Sequence, residues 1–374
     1  MELWLNRIFS DGAKRSFGHG WLSGVLSIVL GILASLSVLA LRFPQWLTLP
    51  ELREVYPLEY VRLAIAAGIW ASLGLAALSM LLRKRKRLGL AGLAMAAIAM
   101  ALGGGDAPVG PNEGEDIYLG LDWFVLGVLT TAGLFVPLEK AFPLRRGQGA
   151  FRTGWLTDTQ YFFASHVLAQ VMSVAVLAPA VALGAVLAVP SAQAFVQSLP
   201  WLVQFGLAVL VADLAQYGVH RAFHAVPFLW RFHKVHHSIE AMDWLAGSRL
   251  HLFDVIVTRG LVLLALLVAG FAQSVVYAYL ALVSFHAVFI HANFAPCLGG
   301  LERWIAMPRF HHWHHGVEEE ARDVNFAVHL PMIDRWFGTY HMPEYRWPAG
   351  YGLTGERAPV GWARQLVWPF ARSP

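Results

Sequence analysis

The sequence is poor in charged residues and has a single cysteine. Charged residues make up 14% of the 374 positions and hydrophobic residues 57%, whereas a typical soluble domain has about 25% charged and about 45–50% apolar residues. This composition excludes an ordinary soluble domain and indicates an integral membrane protein. With Cys297 alone, the chain can form neither an internal disulfide nor a zinc site built on thiolates. Any metal chemistry must therefore depend on imidazole.

Long apolar runs predict the membrane spans, since a membrane helix needs about 20 predominantly apolar residues. The candidate runs are 21–41, 61–82, 88–103, 121–138, 161–189 and 199–219. A further apolar block, 255–291, is too long for one span, and Gly270 and Gln273 near its middle predict a hairpin of two shorter helices. The predicted fold class is an all-α integral membrane protein, a multi-span helical bundle with a cytosolic histidine-rich helical cap.

The distribution of basic residues predicts the topology, because cytoplasmic loops carry an excess of Lys and Arg. Segments 83–87 and 139–160 are basic, whereas 103–120 has four acidic residues and no basic one. Alternation from these segments places the N-terminus and the histidine-rich regions on the cytoplasmic side. The membrane would be a bacterial inner membrane or the endoplasmic reticulum, with the bacterial one favoured. Because the basic residues lie in short clusters between apolar runs, the net charge of +4 predicts no nucleic-acid partner.

Histidine is concentrated in one part of the chain, since all 16 histidines except His19 and His166 lie between positions 220 and 341. They form one H-x-x-x-H group and two H-x-x-H-H groups, and residues three or four apart share a face of a helix. Imidazole is a common ligand of transition metals, and this many histidines suit two ions better than one. The groups are His220/His224, His233/His236/His237 and His311/His314/His315, with His291, His286 and His251 as further candidates. His312 points away from its neighbours and is predicted not to be a ligand.

Acidic residues near these groups are candidates for orienting the imidazoles. Asp213 and Tyr217 precede His220 by seven and three residues, so the three share one helical face. A carboxylate that accepts the far N–H of a ligating imidazole fixes its tautomer and raises its basicity. The other candidates, for which a helix cap or a surface charge is the alternative, are Asp323, Asp243, Asp254 and Asp334.

Five segments between residues 213 and 340 resemble the fatty acid hydroxylase / sterol desaturase superfamily. They are DLAQYGVHRAFHAVPFLWRFHKVHHS (213–238), SRLHLFD (248–254), FIHANF (289–294), MPRFHHWHHG (307–316) and DVNFAVHLPMIDRWFGTY (323–340). The resemblance implies a dinuclear iron centre on the cytosolic side that activates O2 to hydroxylate or desaturate a lipid. The ligands carried over by position are His220, His224, His233, His236, His237, His291, His311, His314 and His315. No catalytic residue beyond the metal centre is implied.

The apolar runs, the Pro- and Trp-rich tail and the resemblance together predict a division of the chain, and the resemblance implies a reductant. Residues 1–200 would be N-terminal transmembrane helices, 201–345 the catalytic domain with its cytosolic cap, and 346–374 an interfacial tail. Two of the segments, FIHANF and DVNFAVHLPMIDRWFGTY, are also similar to the alkylglycerol monooxygenase branch, which uses a pterin. The external electron donor would thus be a pterin or a cytochrome.

The predicted function is an O2-dependent lipid hydroxylase (monooxygenase), an oxidoreductase acting on a fatty acyl chain, a sterol or an ether lipid. It would need two iron ions, the membrane, its lipid substrate and a separate redox partner, and zinc would fit the same ligands. A lipid desaturase would need the same centre, and the sequence does not separate the two. A non-oxidative metal-binding or transport protein is an alternative, although a transport path normally marks its spans with ionisable residues. Zinc hydrolysis would need a general base, and the sequence has no H-E-x-x-H motif.

Overall fold

The computed structural model describes residues 18–53, 55–111, 118–344 and 346–371, and the predicted cytoplasmic N-terminus lies outside these ranges. Within them, regular structure consists of helices, with two isolated β-bridges. The α-helices are α1 (Trp21–Arg42), α2 (Pro44–Leu47), α3 (Pro50–Arg53), α4 (Leu58–Leu82), α5 (Arg87–Ala101), α6 (Leu121–Ala141), α7 (Trp155–Val167), α8 (Ala169–Leu187), α9 (Pro190–Ser198), α10 (Trp201–Ala225), α11 (Pro227–His237), α12 (Leu252–Ala269), α13 (Gln273–His291), α14 (Pro308–His314), α15 (Pro331–Phe337) and α16 (Trp362–Val367).

Among the described residues, seven helices are long and apolar enough to cross a membrane, which confirms the predicted all-helical integral membrane fold. They are α1, α4, α5 with its 3-10 extension to Asp106, α6, α10, α12 and α13. The predicted hairpin in 255–291 is also present. Gly270 ends α12 with a φ of 76°, a left-handed conformation that glycine adopts without steric cost, and α13 begins at Gln273.

The prediction of one continuous span over 161–189 is wrong. The structure divides this segment between α7 and α8, and Ser173–Leu187 forms with Pro190–Ser198 a helix pair bent by 106°. Proline has no amide hydrogen and its ring disfavours helical geometry in the preceding residue. Val189 is accordingly extended, with φ −110° and ψ 103°, and Pro190 starts a new helix.

Two compact units make up the chain: Met1–Leu129 with His166–Gln170, and Thr130–Ser165 with Val171–Pro374. In the first unit, α1, α4 and α5 pack through small residues, as membrane helices commonly do. Ser72 Oγ donates a hydrogen bond to Ser27 O across 2.7 Å. A Cβ atom on Gly92 would lie 2.0 Å from Ser27 Oγ. Only glycine therefore permits this approach of α1 to α5.

The second unit has a core where α10, α12 and α13 meet, formed around Ala212, Leu266 and Tyr279. At one end, which we call the hairpin end, Gln193 of α9 donates to Leu267 O and Trp201 donates to Ser274 Oγ. At the opposite end, the histidine end, α10 stops after His224, α12 begins and α13 ends at His291.

The bent pair reaches the hairpin end, where α9 lies. Counted as one span, this pair is an eighth candidate crossing. Asp158, near the start of α7, is ion-paired with Arg249 at the histidine end. The histidine-bearing segments remain together at one end of the unit.

The C-terminal segment 346–371 packs against helices of the histidine end. Lys234 Nζ is 2.8 Å from Glu356 Oε1 and lies 4.2 Å from the centre of the Trp368 ring. Gly361 N donates to Thr157 Oγ1 of α7. The interfacial position of this tail, and the domain boundaries at residues 200 and 345, stay predictions.

Candidate metal centre

Four elements carry the clustered histidines to one place. Helix α10 supplies His220 and His224, one turn apart near its end, and α13 supplies His291 as its last residue. The two H-x-x-H-H motifs lie on the short helices α11 and α14, each of which begins with a proline at its first position.

The structure brings these nine histidines together in two groups whose potential ligand atoms lie within 4.8 Å of one another. The first group is His220, His224, His233, His237 and His314. The second group is His236, His291, His311 and His315. Each H-x-x-H-H motif is shared, because its i and i+4 members lie on one face and its middle histidine serves the other group. Both groups are capable of binding a metal ion.

In the first group, the hydrogen bonds define where the protons are. Nδ1 of His220 donates to Phe326 O across 2.8 Å, and Nδ1 of His233 lies 2.7 Å from Asp254 Oδ2. A neutral imidazole has one N–H, so both Nε2 atoms carry lone pairs. These two Nε2 atoms are only 3.1 Å apart, and two lone pairs at that distance repel unless a cation lies between them.

The second group has the same arrangement with different outer partners. Nδ1 of His236 donates to Arg249 O across 3.0 Å, and Nδ1 of His291 donates to Ala287 O across 2.7 Å. Their Nε2 lone pairs are 3.3 Å apart, and the Nε2 atoms of His291 and His311 are 3.0 Å apart. A four-coordinate ion with metal–nitrogen distances of about 2.0–2.1 Å separates its ligands by about 3.3 Å. The donor set therefore fits a bound transition-metal ion.

Buried nitrogen atoms without partners support the same interpretation. Nε2 of His224, His237 and His314 are buried and have no hydrogen-bond partner among the described residues. Burial first, and neighbouring imidazoles second, lower the pKa of the histidines outside the spans well below the ordinary value. This holds for His233, His236, His237, His311, His314 and His315. They are therefore neutral near pH 7, the form that binds metal.

A cavity of about 280 Å³ opens onto the first group alone. Its walls include His224, His237, His314 and the Trp230 ring, with Arg322 and Asp323 also among its lining residues. None of the second-group histidines lines it. Ligand pockets usually measure about 300–1,000 Å³, so this cavity suits a small molecule or one end of a larger one.

Of the predicted orienting residues, two contact an imidazole of the centre. Asp323 Oδ1 lies 3.2 Å from Nδ1 of His224 and is largely exposed; the nearby imidazole lowers the pKa of this carboxyl. Asp254, another of the predicted candidates, is the buried partner of His233.

Asp213 and Tyr217 do not orient His220 in the predicted way. The Asp213 carboxylate accepts backbone N–H groups from Val328, His329 and Leu330. Seven residues along a helix are about 10 Å, so the carboxylate lies too far from the His220 ring, and a loop fills its place. The Tyr217 hydroxyl is bonded to Thr339 Oγ1 across 3.0 Å. Asp334 likewise accepts backbone N–H groups, from Phe326 and Ala327.

His286 and His251 lie outside both groups, which corrects their candidacy as ligands. His286 bonds to His329 Nδ1 across 2.7 Å and to Ala306 O across 2.8 Å. His251 caps α12, its Nδ1 accepting Phe253 N–H. His312 lies outside the groups as well, with Nδ1 2.8 Å from the Tyr351 hydroxyl.

Sequence reasoning missed the backbone carbonyls that orient four of the imidazoles. These acceptors belong to Phe326, Val324, Arg249 and Ala287. Every residue has a carbonyl, so no residue type signals this role. These carbonyl partners are recognised only in the folded structure, where the chain brings each carbonyl next to its imidazole.

Comparison with known proteins shows what the segment that carries the centre is similar to. Residues 205–339 match the family model for fatty acid hydroxylase. The chain is similar to the ornithine lipid hydroxylase OlsE of Rhizobium tropici, with 30% identity over 173 residues, which is 46% of this chain and 52% of that protein. It is also similar to two alkylglycerol monooxygenases. For the Danio rerio protein the identity is 31% over 192 residues (46% of this chain, 39% of that one), and for the Homo sapiens protein 29% over 147 residues (39% and 32%).

The chain thus spans about half, or less, of the length of these relatives. No solved structure shows significant similarity to it. The matched segment 205–339 contains all nine histidines of the two groups. Through that segment the chain is similar to the fatty acid hydroxylase family.

Proposed function

We propose that the protein is a membrane-bound di-iron oxygenase that uses O2 to hydroxylate a C–H bond of a lipid. The observation that carries this proposal is the pair of histidine groups, in each of which Nε2 lone pairs face one another about 3 Å apart. Two iron ions bound there would supply the activation of O2 that attack on an unreactive C–H bond requires. All nine histidines, His220, His224, His233, His237 and His314 in one group and His236, His291, His311 and His315 in the other, are the proposed ligands.

The protein's own contribution is to hold these ligands in position and to limit the access of water. Outer hydrogen bonds from carboxylates and carbonyls fix the ring orientations, and such partners strengthen metal binding. The histidines of the second group are buried, whereas the first group faces the cavity lined by Trp230. We propose this cavity as the route by which a small reactant, or one end of the substrate, reaches the centre.

A lipid substrate is supported by the location of the centre and by the relatives. The histidines lie where candidate spans α10, α12 and α13 end. Apolar side chains are exposed at the same end of the unit, among them Phe228 at 55%, Trp304 at 64% and Trp336 at 56%. The similar proteins named above are a hydroxylase of ornithine lipid and monooxygenases of alkylglycerol. We therefore propose a lipid with a polar head, together with an external electron donor, as the reactants.

The test compares the wild-type protein with a His236→Ala/His314→Ala variant, which loses one nitrogen from each group. Both are purified in mild detergent, supplied with a chemical reductant and the polar lipid extract of the host membrane, and exposed to isotopically labelled O2. We expect lipids that gain one labelled oxygen atom with the wild type and none with the variant. Lipids that lose two hydrogens without gaining oxygen would indicate a desaturase. Turnover that continues without O2 would contradict both.

A further inference from the structure

Four charged side chains form a buried ion network beside the second histidine group. Arg152, Asp158, Asp243 and Arg249 are each at most 6% exposed. Arg152 is bidentate to Asp243, through Nε at 2.9 Å and Nη2 at 2.5 Å. Its Nη1 reaches Asp158 Oδ2 at 2.5 Å, and the other Asp158 oxygen receives Nε of Arg249 at 2.5 Å. Two positive and two negative groups are thus mutually neutralised in the interior.

This network fixes the residue whose backbone orients a histidine of the second group. The carbonyl of Arg249 accepts Nδ1–H of His236. The Arg249 side chain is held by Asp158 on one side and by Ser238 O at 3.0 Å on the other. A backbone carbonyl cannot be deleted by substitution, and its position depends on how its residue is anchored. Arg249 is anchored through the ion network.

Residues 139–158, the stretch that contains Arg152 and Asp158, also contact the chain just after His291. His291 is the histidine that α13 contributes to the second group. Glu139, near the end of α6, accepts backbone N–H groups from Trp244 and Asn293, and Asn293 Oδ1 accepts Arg145 N–H at 2.8 Å. Gln148 Nε2 donates to Met242 O at 2.7 Å. Residues 139–158 therefore contact the chain on both sides of the second group.

We infer that residues 139–158 are a positioning segment for the second histidine group, with Arg152 and Asp158 as positioning residues for His236. These positions lie outside the segment 205–339 that matches the family model, so the inference assigns a role to a part of the chain that the match does not cover. It rests on the proposed function in one respect, namely that the second group binds a metal ion.

The test measures each group separately with cobalt(II), whose visible absorption reports its coordination. A first-group knockout (His224→Ala/His237→Ala/His314→Ala) leaves the second group intact, and a second-group knockout (His311→Ala/His315→Ala) leaves the first group intact. Arg152→Lys is introduced into each. Lysine keeps the charge but cannot hold two carboxylates with a planar fork. The matched control is Arg146→Lys, an exposed arginine of the same segment.

We expect Arg152→Lys to weaken cobalt binding by about 10- to 100-fold in the first-group knockout, the usual effect of losing an orienting partner, and to change the cobalt absorption spectrum. In the second-group knockout, Arg152→Lys should leave both the cobalt affinity and the spectrum unchanged. The control Arg146→Lys should leave both unchanged in either knockout.

If Arg152→Lys fails to elute as a single species, Gln148→Leu provides a milder disturbance, with a several-fold loss of cobalt affinity expected in the first-group knockout only. Equal losses in both backgrounds, or none, would overturn the inference. A wild-type protein that binds no cobalt would instead overturn the proposed function on which it rests.

Discussion

The two histidine groups share two of the four helices that carry them, α11 and α14, but differ in how their imidazoles are oriented and in what they face. In the first group, carboxylates contact two rings: the buried Asp254 at His233 and the exposed Asp323 at His224. In the second group, the backbone carbonyls of Arg249 and Ala287 accept the Nδ1–H groups of His236 and His291 instead. The first group lines a cavity, and the second does not.

The difference predicts two ions with different properties. A carboxylate accepting the far N–H raises the basicity of the ligating imidazole more than a neutral carbonyl does. The first group should therefore be the more electron-rich and the more accessible one, and the second the more rigidly held. One H-x-x-H-H pattern, used twice, yields unlike sites because each motif divides its histidines between the groups.

Lowering the pH should have the largest effect on folding stability, and it should affect both histidine groups alike. Burial lowers the pKa of His236, His237 and His315 well below 6.5, and that of His312 to about 3. Between these values and about 6.5 the unfolded chain binds more protons than the folded one, so stability falls as pH falls. Each such histidine contributes up to about 1.4 kcal/mol per pH unit in this window. The thermal unfolding temperature of the metal-free protein should be constant above pH 7 and fall steeply from pH 6.5 to 5. An unfolding temperature that does not change with pH would contradict the buried, neutral state of these histidines.

Removal of metal by a chelator should separate the groups. A chelator can approach the first group through the cavity beside Trp230, whereas the histidines of the second group are buried and line no part of this cavity. We expect two kinetic phases of equal amplitude, measured by elemental analysis of samples taken over time. Filling the cavity by Gly352→Leu should slow the first phase alone. Gly352 lines the cavity and has a φ of 116°, a conformation that leucine rarely adopts. Thr354 also lines the cavity, so Thr354→Leu is the companion variant without this strain. A single phase would contradict the asymmetry.

Asp254→Asn should have a smaller but selective effect. The amide keeps the size of the side chain, but its oxygen accepts a hydrogen bond without a charge. His233 therefore loses its charged partner, and the hydrogen bond that Thr258 donates to the same side chain becomes weaker. We expect cobalt affinity of the first group, measured in the second-group knockout, to fall by about 10- to 100-fold. In the first-group knockout the affinity should stay unchanged. A loss in the second group would indicate general unfolding instead.

Asp323→Asn should have the smallest effect of the series. Asp323 lies at a φ of 54°, which asparagine tolerates, and its carboxylate is 73% exposed. Water can replace an exposed partner, and exposed ion pairs contribute about 0–1 kcal/mol. Affinity of the first group should fall by no more than about fivefold, which corresponds to about 1 kcal/mol. An effect as large as that of Asp254→Asn would show that burial does not decide which carboxylate orients the centre.

Local periodicity predicted much of the site, and long-range contacts account for most of what it missed. The spacing of three and four residues picked out eight of the nine histidines of the two groups, because one helical turn is enough to bring such residues together. His291 has no partner at that spacing and was a separate candidate. Asp213 shows the limit: it shares a face with His220, but two helical turns separate them and residues 328–330 occupy its carboxylate. Arg152 and Arg249 bond partners 91 positions away, a distance that no local pattern spans. Pro190 was a readable signal for the bend that follows α8.

The measurement that tests the account most directly is the number and identity of metal ions per chain in three proteins purified in mild detergent: the wild type, the first-group knockout and the second-group knockout. Each knockout leaves two histidines in the disrupted group, so the comparison is matched. The account predicts about two ions in the wild type, with iron among them after reconstitution under reducing conditions, and one ion in each knockout. One ion or none in the wild type, or two ions in either knockout, would contradict a dinuclear centre held by these two histidine groups.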